Sequence, residues 1–481
     1  MDFFENHIGQ CVVDAFYSYA RSPEEQGRTF LHAAATVGHI ELVKKLVTNI
    51  EDKNPRDRVG ATPLHLAATF GHFEIIKFML PFLSDKNPKS GHHWNERTPL
   101  HDAAMGGHLD IIKYFLENII EGDINPSMAD GWTVLHCAAE KGHLNVVSYY
   151  SSQLPDPNPG LLTNDHLLGR TPLHMAAEHG HLPVVQHICS LLDKKNPKDS
   201  YDYTPLHLAA SFGRIEIVKF LLPFTSDKNP KSGYLWSRRT PLHNAALNGH
   251  LQIVKLLLEY TKGDINPPKR DGWTVLHCAA NKGHLNVVKF YTKKLPNPNP
   301  GVTFDMFQLD YPGQLSSHER IGRTPLHFAA EFGHLVIVKH ICNLLADKNP
   351  KDANDFTPLH SAAHGGQVEV VKYLVQHVGD ILPRNGVYLG EKTPLDIAVQ
   401  KGHSRVIDFY KNLLGQDVIN ELNIYSTTSF YGKGRTVLHT VATKGHLQLL
   451  KLLGKKAEDK NPRDEYLHKT SIKSQSREKF N

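Results

Sequence analysis

The chain has 481 residues, 40% of them hydrophobic and 21% charged, proportions typical of a soluble folded protein. No apolar run approaches the roughly 18 residues that a membrane helix needs, and stretches such as residues 78–83, FMLPFL, are broken by proline. The formal net charge of +5 is local: residues 451–481 hold nine Lys/Arg against five Asp/Glu, which leaves about +1 for residues 1–450 with the signs interspersed. A nucleic-acid binder should show a basic stripe, so neither a nucleic-acid partner nor membrane insertion is expected.

The N-terminus, MDFFENHIGQ, is acidic, unlike the basic start of a signal peptide. Cysteines at 11, 137, 189, 278 and 342 are odd in number and form no C-x-x-C pair, so they read as reduced thiols packed like small hydrophobes. The compartment expected from them is the cytoplasm, with the nucleus as the alternative.

Residues 1–27 carry an apolar stretch from Cys11 to Tyr19 and read as an N-terminal capping segment. Behind them a pattern recurs that is clearest in residues 170–189, RTPLHMAAEHGHLPVVQHIC. It predicts two short helices. Thr171 is an N-cap whose hydroxyl can accept from the free N–H groups of a helix start. Pro172 follows at the first helical position, where its missing N–H costs nothing. Ala176 and Ala177 are small enough for close helix approach, and Gly180 supplies a left-handed helix end. From His181 a second helix carries an apolar stripe of Leu182, Val184, Val185 and Ile188. Neither helix can bury its stripe alone, so the unit needs copies on both sides.

The Thr of this pattern is found twelve times, from Thr29 to Thr436, mostly 33 to 38 residues apart. Seven copies read TPLH, three TVLH and one TFLH, while the copy at Thr393 reads TPLD. A period near 33 with a T-P-L-H-x-A-A core and a G-H step resembles the ankyrin repeat, and the likeness covers residues 28–453. It implies an all-α repeat fold: an ankyrin-repeat solenoid of helix pairs with protruding β-hairpin loops. A longer period of about 142 residues groups the repeats into three modules of four, at about 28–160, 161–312 and 313–453. Residues 130–160 and 271–301 differ at only seven of 31 positions, the mark of duplication within one chain.

The connections vary more. DKNP-type segments start at Asp52, Asp85, Asp227 and Asp347, and their Asn-Pro step forbids helix continuation. One hairpin per module is extended, as GHHWNE (91–96), GYLWSR (233–238) and GVYLGE (386–391). Longer insertions fall at 151–170, 292–323 and 415–435. Residues 454–481 read as a polar, disordered tail, and a half-started repeat near Asp459 suggests a chain shortened relative to its relatives.

Thirty-two histidines invite a metal or catalytic reading, but 21 of them are the His of T-x-L-H or of G-H. The resemblance implies that these bond backbone between neighbouring repeats. His92-His93 is the one adjacent pair, and no further zinc ligands are suitably spaced. No phosphate loop, HExxH or G-x-S-x-G is present. No catalysis, metal or cofactor is therefore expected. Trp132 and Trp273, beside their capping threonines, suit packing across the hairpin. Trp94 and Trp236, in the extended tips, read either as partner anchors or as local packing, and Tyr388 is the matching anchor of the third tip. By the resemblance, partners would also meet the two residues between A-A and G-H, which gives Phe70, Phe212, Phe332, His179, Lys141 and Lys282 as contacts; for the three Phe rings, partial burial against the next repeat is the alternative.

The function expected is a protein-binding scaffold or adaptor acting through hairpin tips and a concave groove. Two other readings stay open: the ankyrin portion of a larger signalling or membrane protein, and an array that senses a small ligand or oligonucleotide.

Overall fold

The computed structural model describes residues 27–118, 123–160, 169–233, 238–261, 263–302, 321–386 and 389–414. Most of the capping segment with Cys11, the tip residues Trp236 and Tyr388, most of the 292–323 insertion, the 415–435 insertion, the repeat at Thr436 and the tail lie outside them. Among the described residues the secondary structure is helical, and β-pairing is confined to two isolated bridges, Ser127 with Thr133 and Pro268 with Thr274. Two hairpins of the ankyrin plan are therefore turns held by a single bridge, and the other described ones are turns without one.

The chain divides into two compact units, Met1–Trp236 and Ser237–Asn481. Among the described residues unit 1 shows six helix pairs: α1 (Phe30–Val37) and α2 (Ile40–Asn49), α3 (Pro63–Phe70) and α4 (Phe73–Met79), α5 (Pro99–Gly106) and α6 (Leu109–Asn118), α7 (Val134–Lys141) and α8 (Leu144–Gln153), α9 (Pro172–His179) and α10 (Leu182–Leu191), α11 (Pro205–Ser211) and α12 (Ile215–Leu221). The described residues of unit 2 show five: α13 (Pro241–Leu247) and α14 (Leu251–Tyr260), α15 (Val275–Lys282) and α16 (Leu285–Lys294), α17 (Pro325–Glu331) and α18 (Leu335–Cys342), α19 (Pro358–His364) and α20 (Val368–Val375), α21 (Pro394–Lys401) and α22 (Ser404–Leu414). Within each unit the first, or inner, helix of a pair packs on the inner helix of the next, and outer helices do likewise. The inner helices bury their Ala-Ala steps and Leu completely, as at Leu173, Ala176 and Ala177.

Each repeat is tied to its neighbours by side chains that the local pattern supplies. Thr171 caps α9, and the His174 ring closes a capping box by accepting from the Thr171 N–H at Nδ1, 3.2 Å away. That bond places the proton on Nε2, which donates forward to the Tyr203 carbonyl at 3.2 Å. The G-H histidines donate backward: His72 Nε2 to Thr36 O at 2.8 Å, and His143 Nε2 to Met105 O at 2.8 Å. Where the pattern departs from His, other donors take the same place, with Arg214 Nε donating to Glu178 O and Gln367 Nε2 to Glu331 O. At TPLD, Asp396 keeps the capping box with Thr393 but has no proton to donate forward.

The D-K-N-P turns have work for each polar side chain. Asp52 Oδ1 accepts from the Asn54 N–H, making an Asx turn. Lys53 Nζ donates to Val47 O and Ile50 O, which satisfies carbonyls left over at the end of α2. Asn54 Oδ1 accepts from the Leu64 N–H in the first turn of α3. The Asn bond recurs at Asn87, Asn125, Asn158 and Asn196 in unit 1, and at Asn266, Asn299 and Asn349 in unit 2.

Candidate interaction surface

Catalysis would need reactive groups held together, and the buried groups here are quenched instead. Burial lowers the imidazoles of nine T-x-L-H histidines, His65 and His136 among them, to about 3 or 4, so these stay neutral. The four described cysteines are free and buried, and burial pushes Cys189, Cys278 and Cys342 up to about 11, well away from a reactive thiolate. No cluster of three or more His, Cys, Asp or Glu suited to a metal exists among the described residues. His92 Nδ1 lies 2.9 Å from Glu96 Oε1 on the tip. A depression of about 980 Å³ between the hairpins before α7 and α9 is lined by Asp123, Asp130 and Asp156. Each of these carboxylates accepts a backbone N–H two residues on, so they hold turns.

The inner-helix ends are different. Phe70 closes α3 and Phe212 caps α11 in unit 1; they are 53% and 48% exposed. Phe332 caps α17 in unit 2 and is 51% exposed. The three rings hold one position of the repeat, and Phe70 also stacks on His72 with ring centroids 6.4 Å apart. Between Phe70 and Phe212, unit 1 presents a charged step. Glu140 pairs with Lys141 at 3.4 Å and lies 3.7 Å from His179 Nε2, while Arg170 pairs with Glu178 at 2.8 Å. Unit 2 repeats the motif with Arg323 at 3.2 Å and His364 at 3.4 Å from Glu331. Lys282 is exposed in the last turn of α15.

The tips give a mixed result. Trp94 ends a 3₁₀ turn, His92–Trp94, and the Arg97 guanidinium lies 4.0 Å over its half-buried ring. Arg97 Nε in turn approaches Asp102 Oδ1 to 2.9 Å. Trp273 packs on Phe328 of the next repeat, ring centroids 4.2 Å apart. Sequence reasoning passed over the outer helices. One step of most of them carries a ring, such as Phe78, Tyr114, Tyr149 and Phe220 in unit 1, visible only when every G-H is aligned; α2 has Lys45 there and α14 has Leu256.

Paired helices tied to both neighbours through side-chain-to-backbone bonds, with open inner-helix ends and no reactive cluster among the described residues, define a helical-repeat solenoid. A family profile described as ankyrin repeats (3 copies) matches residues 6–90, 79–160, 152–232, 226–300, 306–385 and 326–421. The chain belongs to the ankyrin repeat family, whose members are in general non-catalytic modules of protein interaction. A comparison with curated proteins found no match. Among the described residues no helix is long and apolar enough to cross a membrane.

Proposed function

We propose that the chain is a non-catalytic intracellular scaffold or adaptor that binds protein partners along the inner-helix ends and hairpin tips. The observation that carries this reading is the half-exposure of Phe70, Phe212 and Phe332 at one position of the repeat. A stacked array is already rigid, so a partner that covers these rings orders little of the surface it binds. His179, Lys141 and Lys282 supply polar contacts beside them. Trp94, Trp236 and Tyr388 are proposed as further anchors on the tips. Buried free thiols agree with a reducing compartment.

The test is crosslinking mass spectrometry of captured partners, with the intact chain and with Phe70→Ser, Phe212→Ser and Phe332→Ser combined. The expected result is loss of specific crosslinks at unchanged helical circular dichroism. Early melting with undiminished crosslinks would make the rings structural and end this reading.

A further inference from the structure

The two near-identical copies within the chain differ in one direction. Of the seven positions that separate residues 130–160 from 271–301, Tyr149/Phe290 and Ser151/Thr292 leave charge unchanged. The other five are Glu140/Asn281, Ser148/Lys289, Ser152/Lys293, Gln153/Lys294 and Asp156/Asn297. Two acidic residues become neutral and three neutral residues become lysine, so the later copy is more positive by +5. All three new lysines fall on one helix, α16, at i, i+4 and i+5.

In unit 2 these lysines meet others on the outer face. Lys255 of α14 reaches to 5.9 Å from the Phe290 ring centroid and Lys294 to 5.3 Å, so two cations approach one ring. Thr292 Oγ1 lies 2.9 Å from His340 Nε2 on α18, which joins the two outer helices. Burial, with the charges of Lys289 and Lys293 adding to it, holds the His340 imidazole below its ordinary range. Lys339 on α18 continues the row toward Tyr373, at 5.6 Å. Lys255, Lys289, Lys293, Lys294 and Lys339 are all exposed, and the ion pairs of the described residues include none of them. Lys293, Lys294 and Lys339 also complement the C-terminal dipoles of α16 and α18; Lys255 and Lys289 sit mid-helix and have no such role.

We propose that the outer face of α14, α16 and α18 is a docking site for a short acidic polypeptide segment of a partner protein. This is a different face from the inner-helix ends and does not depend on the reading of them. Three stacked helices span about 20 Å, the length of about six extended residues. Glu259 on α14 stands one turn after Lys255, and on α20, beyond the face, Glu369 pairs with Lys372 at 2.8 Å. The positive stretch is therefore short, which suits a short acidic segment better than a long polyanion or a membrane surface. Residues 451–481 are themselves basic and do not complement the face.

The test is fluorescence anisotropy of a fluorescein-labelled octaglutamate peptide titrated with the full-length chain at about 50 and about 150 mM salt. The key variant combines Lys289→Ser, Lys293→Ser and Lys294→Gln, which installs side chains that the earlier copy already carries in the same fold. A charge-matched control combines Lys44→Ser, Lys198→Ser and Lys219→Ser, all exposed and paired within their own repeats or turns. Expected are saturable binding that weakens with salt, a loss of about tenfold or more in the key variant, and a change under about threefold in the control. Unaltered melting of the key variant is expected as well. Absence of saturable peptide binding, equal loss in both variants, or tighter binding of duplex DNA or phosphatidylserine vesicles than of the peptide would each overturn the proposal.

Discussion

His181 lies against the α-carbon of Gly142 and donates its Nε2 proton to the Glu140 carbonyl at 2.7 Å. Gly142 has φ +81°, and a Cβ added there would stand 2.3 Å from His181 Nδ1. The glycine thus serves twice: it ends α7 in the left-handed region, and it leaves room for the ring that ties the next repeat to this one. Replacing Gly142 with Val costs about 1–2 kcal/mol of backbone strain and about 1 kcal/mol more for the displaced hydrogen bond. The loss should concentrate in α7 to α10, because each repeat meets only its neighbours. Hydrogen exchange read by mass spectrometry checks this; uniform loss of protection from end to end would contradict it.

The same histidine chemistry sets an acid limit. His32, His65, His101, His136, His174, His243, His277, His327 and His360 are lowered from 6.5 to about 3 or 4, chiefly by burial. A folded-state value below the unfolded one means that the unfolded chain binds the extra protons. The stabilisation is therefore present above about 6.5 and is lost as pH falls toward 4, by about 1.4 kcal/mol per pH unit for each ring. Nine rings make the slope steep. Circular dichroism at 222 nm should stay flat down to about pH 6.5 and collapse well before the range where carboxylates titrate. Full helicity at about pH 4.5 would sink this account.

How much of this was open to sequence reasoning depends on how far each effect reaches. Thr171, Pro172 and Gly180 act on their own helix, so their roles follow from local rules. The forward bond of His174 depends on a carbonyl 29 residues away, and only the family resemblance pointed to bonding of that kind. Asn54 with its proline reads as a turn, yet its side chain also bonds the first turn of α3 ten residues on; the rule that Pro ends a helix says nothing of what the preceding amide bonds. Trp94 was left between two roles because the Arg97 contact requires the turn to fold first. Lys289 and its neighbours disappeared into a near-neutral total, since net charge averages over faces that never meet.

A buried carboxyl offers a stability gain. Asp102 is 1% exposed, and burial outweighs the nearby Arg97 to push it from 3.8 up to about 7. Its Oδ2 is buried without a hydrogen-bond partner. For an acid raised this way, the favourable protonated state holds below about 4 and is lost as pH rises through about 7. The equivalent position in the next module is Asn244. Asp102→Asn should therefore stabilise the chain by about 1–3 kcal/mol at about pH 8, with a smaller gain at about pH 6. Thermal melts of both proteins across that interval test it, and a destabilised variant at pH 8 would show that the ion pair with Arg97 dominates.

Trp94 can then be assigned by coupling rather than by exposure. Its ring carries the Arg97 guanidinium, and Arg97 meets Asp102 on the inner helix α5, so the three form one chain from tip to core. If the ring serves to hold the guanidinium over the carboxylate, Trp94→Ala should cost about 1–2 kcal/mol, and Trp94→Phe should recover much of that. The same Trp94→Ala change made in the Asp102→Asn background should cost measurably less, because the contact it supports has already been altered. A Trp94 that instead reaches outward to a partner would show no such coupling: the single variant would melt normally, the two changes would add, and only crosslinking to partners would fall. Four melting curves, for the original chain, each single variant and the double variant, separate these outcomes.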